Sequence, residues 1–145
     1  MVVRIPLKIE NPSKGVVVKT SALINSGYEA DKPEILIPHP LAGRLGISLE
    51  GSVSEARCSV FGVGTLIRPK ENLVKVSVVT GDRVLGPVEA YVLVSNFEVE
   101  VLISDYLASL LRIAVEDFKR GLWRFRDEPL GRVRESEKPT YWIHG

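Results

Sequence analysis

The sequence predicts an all-β fold with two short helices. Segments in which apolar and polar residues alternate recur along the chain, as in residues 2–10, and turn-forming residues separate them, as in residues 11–15. Helical signals are confined to two short segments. Residues 39–46 have a proline in the first turn and a glycine at the end, and residues 105–112 follow Ser104, which can cap a helix.

The predicted strands cover most of the remaining chain. The first two, residues 2–10 and 15–24, are joined by turn residues and therefore predict a hairpin. Residues 48–69 alternate loosely around a central pair of glycines, which indicates a mobile hairpin or a β-bulge. The other predicted strands are residues 34–38, 73–80, 83–95, 98–103, 113–118 and 122–125, with a bulge or an edge break at Gly86-Pro87.

The C-terminal region differs in composition from the rest. We divide the chain into a domain of residues 1–126 and a C-terminal arm or tail of residues 127–145, because residues 127–139 are rich in charges, glycine and proline. Near its end the arm carries Tyr141-Trp142-Ile143, an apolar group that is costly to leave exposed. We therefore expect the end of the arm to pack on other residues.

The overall composition argues against several classes of function. The 19 basic and 18 acidic residues are scattered, so no charged stripe indicates a nucleic-acid or membrane partner. A single cysteine, Cys58, excludes an internal disulfide, and His39 and His144 are too far apart in sequence to predict a metal site. No apolar segment indicates a signal peptide or a membrane span. We expect a cytoplasmic protein without metal or cofactor, and the dense charges without glutamine are typical of a hot environment.

One stretch organises the functional interpretation. The apolar end of the second predicted strand, residues 22–24, runs directly into Asn25, Ser26 and Gly27. A buried strand that ends in a tight turn can hold a reactive side chain rigidly. With aspartate at position 25, this run would be Asp-Ser-Gly after an apolar strand.

The order of several motifs resembles that of the microbial retropepsin-like aspartic proteases. The matching segments are residues 22–27, 35–38 and 41–47 in the first half, and residues 88–94, 101–107 and 115–125 in the second half. The resemblance covers roughly residues 1–126, and its motifs occur in order. The order of the motifs is more specific than any one of them.

This resemblance implies a closed acid-protease barrel lobe that forms a homodimer, with a peptide or protein substrate in a cleft shared by the two subunits. The residues that correspond to the family's catalytic turn are Asn25, Ser26 and Gly27. The residues that correspond to its substrate-covering glycine hairpin are Phe61, Gly62, Val63 and Gly64. No metal, cofactor, nucleic acid or membrane is implied.

Three features depart from the family's pattern. Asn25 replaces the catalytic aspartate, and Ser104 stands where the family usually has a glycine after its second apolar pair. Retroviral members have an arginine beyond that glycine, which pairs with an acid after the first turn. This chain has Asp105 in that neighbourhood and Glu29 and Asp31 after the turn, so the ion pair is not expected in the same form.

Asparagine at position 25 removes the proton acceptor that aspartic proteases need. Two carboxylates about 3 Å apart share one proton, so that one acts as a base on water while the other donates to the substrate carbonyl. An amide is nearly isosteric with a carboxylate but cannot accept the proton of water. Because general-base catalysis contributes about 100-fold to 10,000-fold, we expect a very poor protease that can still bind extended peptides.

Several interpretations are left open by the sequence, including whether the protein is an enzyme. Asn25 is either natural, in a binding relative of the proteases, or an introduced change that silences an active aspartic endopeptidase, or a site of deamidation. The rival class of function is a non-enzymatic homodimeric assembly module that uses the dimer surface and the arm. Read alone, residues 25–27 are an ordinary turn and residues 61–64 a plain bulge.

Other residues have structural interpretations. Trp123 and Phe125 are expected in the core or in a dimer interface. Arg132 and Arg134 are expected to be solvated. Cys58 is expected to be a small strand residue, because no histidine is placed by the sequence to activate it.

Overall fold

The computed structural model of the chain is built mainly of β-strands. It describes residues 2–24, 27–59 and 62–143, and the side chains of residues 2–24, 27–54 and 64–143. In chain order its elements are β1 (Val3–Asn11), β2 (Val16–Ile24), β3 (Glu34–Pro38), α1 (His39–Arg44), β4 (Val53–Ser59), β5 (Gly62–Arg68), β6 (Leu73–Val79), β7 (Val84–Ser95), β8 (Val101–Ile103), α2 (Asp105–Leu110), β9 (Ile113–Asp117), β10 (Leu122–Phe125) and β11 (Arg134–Glu135).

Six strands close into a barrel in the order β3-β8-β2-β1-β6-β7, with β7 returning to β3. Most of these pairs are antiparallel, whereas β2 with β8 and β3 with β7 are parallel. Closure gives each of the six strands a partner on both sides, so their main-chain groups pair within the barrel. The prediction of an all-β barrel with two short helices is therefore confirmed.

The barrel core follows the alternation that the sequence shows. In β1, every second residue from Val3 to Asn11 is buried, and its apolar members lie in one cluster with residues of β3, β6, β7 and β8. The rings of Trp123 and Phe125 are also buried in this cluster and meet edge to face, with centroids 5.2 Å apart. Of the two places expected for these aromatic residues, the structure has them in the core.

Outside the barrel lie one hairpin and one small sheet. The hairpin β4–β5 joins the barrel where Leu66 and Ile67 of β5 pair with Ser95 and Val94 of β7. The predicted strand pair near the C-terminus is present as β9 and β10, and β11, which was not predicted, pairs with β10. The arm is thus not a structureless tail.

Predicted boundaries differ from the observed ones mainly at turns. Strand β8 begins at Val101, not at residue 98, because the Ser95 hydroxyl accepts hydrogen bonds from the amides of Phe97 (3.1 Å) and Glu98 (2.9 Å) and folds that segment into a turn. Helix α2 ends at Leu110 because Arg112 has a positive φ of 59°. The bulge predicted at Gly86-Pro87 is confirmed, since the pairing of β6 with β7 shifts register there.

The end of the arm packs against the barrel of its own chain. The Thr140 amide donates to the Ser21 hydroxyl (2.9 Å), and the Trp142 indole Nε1 donates to the Thr20 hydroxyl (3.0 Å). The Trp142 amide also donates to the Val99 carbonyl (2.7 Å). Residues 140–142 are therefore fastened to β2 and to the loop before β8.

An ion-pair network fastens the beginning of the arm. The expectation that Arg134 is solvated is wrong: its side chain is 13% exposed, pairs with Asp82 and Glu128, and lies over the Phe125 ring at 5.1 Å. Arg132, by contrast, is largely exposed, although it also reaches Asp82. The sequence could not predict these contacts, because Asp82 lies in the turn between β6 and β7, 52 positions before Arg134.

Candidate peptide-binding site

The turn that the sequence singles out joins β2 to β3. Strand β2 ends at Ile24 and β3 begins at Glu34. The predicted site residues Asn25 and Ser26 lie outside the described residues, as does Phe61. Gly27 is described, and it is an exposed turn residue.

Strand β8 lies between the two strands that the turn connects. It pairs in parallel with β2, through Ala22, Leu23 and Ile24, and antiparallel with β3 on its other side. Because β2 and β3 are neighbours in sequence but not in the sheet, the chain between them must cross the end of β8. Ser104 and Asp105, which follow β8, are thereby brought next to the residues that follow the turn.

Ser104 connects β3 with α2. It is fully buried, and its hydroxyl accepts hydrogen bonds from the amides of Glu34 (3.1 Å) and Leu107 (3.2 Å), the second of which caps α2. The Ser104 amide in turn donates to the Glu34 carbonyl (3.0 Å). A serine where the resemblance leads one to expect glycine thus has a structural role here.

Asp105 holds the segment that follows the turn. Its amide donates to the Tyr28 carbonyl (2.9 Å), and its carboxylate accepts from the Ala30 amide (3.2 Å). In this chain, hydrogen bonds to the main chain therefore connect the end of β8 with the segment after the turn.

Glu34 is the buried charge of this region. Its side chain is 2% exposed and accepts a hydrogen bond from the Tyr28 hydroxyl (2.7 Å) and another from the Arg68 guanidinium (3.1 Å). A buried carboxylate needs such partners, because its transfer out of water costs several kcal/mol. Each hydrogen bond that it fails to make in the interior costs about 1–3 kcal/mol or more. Arg68 is the last residue of β5, so Glu34 connects the turn region with the base of the hairpin.

Sequence reasoning missed Glu34, although a signal for it exists. The segment 34–38 is predicted as a short apolar strand, and a carboxylate at the start of a buried strand requires a partner. The partner itself could not have been predicted, because Arg68 lies 34 positions away and only the fold brings it near.

The glycine hairpin is β4–β5, with Gly62 opposite Ser59 and Gly64 opposite Arg57. Gly62, Val63 and Gly64 all belong to β5, so the prediction of a hairpin in this segment is confirmed, whereas a role in substrate binding stays a prediction. At Gly64 an added Cβ would lie 2.1 Å from the Cε1 atom of the Phe97 ring. The ring therefore occupies the space that a side chain at position 64 would fill.

Phe97 reaches Gly64 from the turn that follows β7, the strand next to β5. The last observed pairs are Ile67 with Val94 and Leu66 with Ser95, and Phe97 lies two residues beyond Ser95, in the turn that follows β7. An aromatic ring over a glycine on a neighbouring strand restores packing that the glycine lacks. Phe97 is still 42% exposed, so it also forms part of the surface beside the hairpin.

The loop between β7 and β8 carries two carboxylates, Glu98 and Glu100. Partial burial raises the pKa of the Glu98 carboxyl, and the negative charge of nearby Glu100 raises that pKa further. Glu100 itself is paired with Arg4, with 2.7 Å between the Arg4 Nε and a Glu100 carboxylate oxygen. Within the described part of the chain, no three potential metal-ligating side chains lie together.

The described geometry defines a mostly β protein with a closed six-stranded barrel, an outlying glycine hairpin and two short helices. Neither helix in this part of the chain is long and apolar enough to cross a membrane. Comparison with family models, with curated proteins and with solved structures finds no match to this chain.

Proposed function

We propose that this chain is a retropepsin-like homodimeric protein that binds extended peptides in a cleft between two subunits and, with Asn25, does not cleave them. The single observation that carries the proposal is the position of β8 between β2 and β3. It brings the two halves of the motif order together, because residues 104–105 contact the segment after the turn. The resemblance to the retropepsin-like proteases implies that the motifs of residues 22–47 and those of residues 88–125 lie together at one site.

The glycine hairpin supports a cleft rather than a flat surface. Residues 62–65 of β5 extend beyond the pairing of Leu66 and Ile67 with β7. At the other end of β5, the strand of the hairpin nearer the barrel, Arg68 bonds to Glu34 next to the turn region. An extended peptide lying along such a hairpin would gain strand-like main-chain hydrogen bonds. Binding of this kind needs no ionisable group at position 25.

The test compares the unsubstituted protein, which has Asn25, with the Asn25→Asp variant for cleavage of a denatured protein substrate at acid pH. We expect no cleavage by the former and cleavage by the latter, with a rate difference of about 100-fold or more, because the substitution restores the general base. Asn72→Asp is a matched control, since it adds the same charge in the loop between β5 and β6, outside the predicted site residues. Activity should fall steeply on dilution, because each site needs two subunits.

Absence of cleavage by Asn25→Asp, together with absence of peptide binding by either form, would overturn the proposal. Cleavage by Asn72→Asp as well as by Asn25→Asp would point to a contaminant. Should Asn25→Asp cleave at a rate that does not depend on protein concentration, the shared site would be wrong.

A second candidate function is a homodimeric assembly module. Its support is a set of exposed apolar side chains where the end of the arm meets the loop before β8: Val99 (40% exposed), Tyr141 (55%) and Ile143 (62%). The hydrogen bond from the Trp142 amide to the Val99 carbonyl keeps these residues together. A stable dimer that is lost on Tyr141→Ser/Ile143→Ser, with no peptide binding in any variant, would favour this candidate.

A further inference from the structure

Glu34 has contacts on two sides that the proposed function does not explain. On one side, its carboxylate accepts from Arg68, which ends the inner strand of the hairpin. On the other side, it accepts from the hydroxyl of Tyr28, the residue directly after the turn. One buried group therefore contacts both parts of the candidate site.

The main chain of Glu34 is equally constrained. Its amide and carbonyl both bond to Ser104, and the neighbouring Asp105 amide bonds to the Tyr28 carbonyl. A shift of Glu34 would therefore disturb the start of α2 and the segment after the turn. Such contacts between rigid elements are able to transmit a displacement.

Several contacts among the described residues attach the hairpin to the barrel. They include the pairing of Leu66 and Ile67 with β7, the packing of Leu66 in a buried cluster with Leu36, Leu93 and Leu102, the Phe97 ring over Gly64, and the bond from Arg68 to Glu34. Of these, the last is made by charged groups, and charge-assisted hydrogen bonds inside a protein are stronger and more directional than neutral ones. It also leads to the turn region, as does the apolar cluster of Leu66, against which Tyr28 packs.

We propose that Glu34 is a positioning residue that couples the glycine hairpin to the turn, so that a peptide that orders the hairpin also orders residues 28–35. This inference rests on the proposed function, because it names how that site responds to its ligand. Glu34 does not touch the peptide. It acts through Arg68 on the hairpin and through Tyr28 on the turn.

The first test uses amide hydrogen exchange without any peptide. Glu34→Gln keeps the shape of the side chain but removes its charge, and we expect faster exchange in both residues 28–35 and residues 62–68, by about tenfold or more. Glu128→Gln is a matched control, because Glu128 is also a nearly buried carboxylate bound to an arginine, Arg134, but lies by the small sheet. It should leave both segments at the exchange rate of the unsubstituted protein once global stability is taken into account.

The second test adds an extended, unstructured peptide in excess. In the protein as written, the peptide should slow exchange in both segments, whereas in Glu34→Gln it should slow exchange only in residues 62–68. A role confined to stability would not separate the two responses. If Glu34→Gln does not fold, Tyr28→Phe replaces it, because it removes the hydroxyl that donates to Glu34 on the turn side and should likewise uncouple residues 28–35 from the peptide.

The outcomes separate this inference from the proposed function. Equal exchange in Glu34→Gln and Glu128→Gln, or acceleration of only one segment, overturns the coupling whatever the peptide does. If the peptide protects no segment in any variant while Glu34→Gln loosens both, the coupling stands and peptide binding is wrong. If the peptide protects both segments equally with and without the Glu34 carboxylate, peptide binding stands and the coupling is wrong.

Discussion

The contact between Phe97 and Gly64 allows a quantitative test of how the hairpin is held. Gly64→Ala adds a Cβ that would lie 2.1 Å from one ring carbon and 2.6 Å from two others, so the ring must move. Phe97 is 42% exposed, and complete burial of a phenylalanine is worth about 1.5–3 kcal/mol. The ring's present burial is therefore worth about 1–1.5 kcal/mol, most of which Gly64→Ala should forfeit.

Alanine in a strand also has a benefit, since it is favoured over glycine by about 0.5–1 kcal/mol. In the protein as written this benefit offsets the displaced ring, so Gly64→Ala should be neutral or destabilising by up to about 1 kcal/mol. In a Phe97→Ala background no ring remains to be displaced, and the same substitution should stabilise. The expected coupling between the two positions is therefore about 1–1.5 kcal/mol.

Urea unfolding of the four proteins measures this coupling as differences in midpoint at constant slope. Gly81→Ala is the control glycine, because an added Cβ there meets no atom within 4 Å. Its effect should be the same with and without Phe97. Additivity of Gly64→Ala and Phe97→Ala within about 0.3 kcal/mol would refute the contact.

Three further predictions concern the arm, the cap of α2 and the acid stability. Trp142→Phe should lower stability by about 0.5–1.5 kcal/mol in thermal unfolding, because it removes the hydrogen bond to Thr20 and leaves the ring packing largely in place. Ser104→Ala should cost about 1–3 kcal/mol in urea unfolding, since it removes a helix cap and leaves a buried amide without its acceptor. The hydrogen bond from Arg83 lowers the pKa of Asp127, so the ionised Asp127 stabilises the folded protein above about pH 4, and this stabilisation is lost as the pH falls towards the lowered pKa. Asp127→Asn should therefore reduce the loss of stability in acid, as measured by unfolding at several pH values.

Local patterns account well for the elements whose burial depends on their own periodicity. The strand β1 alternates in sequence and in burial, and β3 and β10 have the predicted bounds. Turn chemistry was also readable, as at Gly46, which has a positive φ of 71° just after α1. Periodicity failed where a side chain bonds to the main chain of the next residues. The Ser95 hydroxyl accepts from the amides of Phe97 and Glu98, and β8 is therefore shorter than predicted.

The candidate site was only half visible in the sequence. The turn at residues 25–27 and the glycines at residues 62–64 have local signatures, so they could be named. The roles of Glu34, Arg68 and Phe97 depend on contacts between residues distant in the chain, and no local signature marks such contacts.

By itself, the sequence determined the class of fold, the turn signature after β2 and the presence of an amide rather than a carboxylate at position 25. These follow from periodicity, turn chemistry and residue identity, which act over a few neighbouring residues. Only the tertiary structure decided that β8 separates β2 from β3, that Glu34 bonds with Arg68, and that the end of the arm packs on β2. These contacts join residues far apart in the chain, so they exist only once the barrel, the hairpin and the arm have come together in the fold.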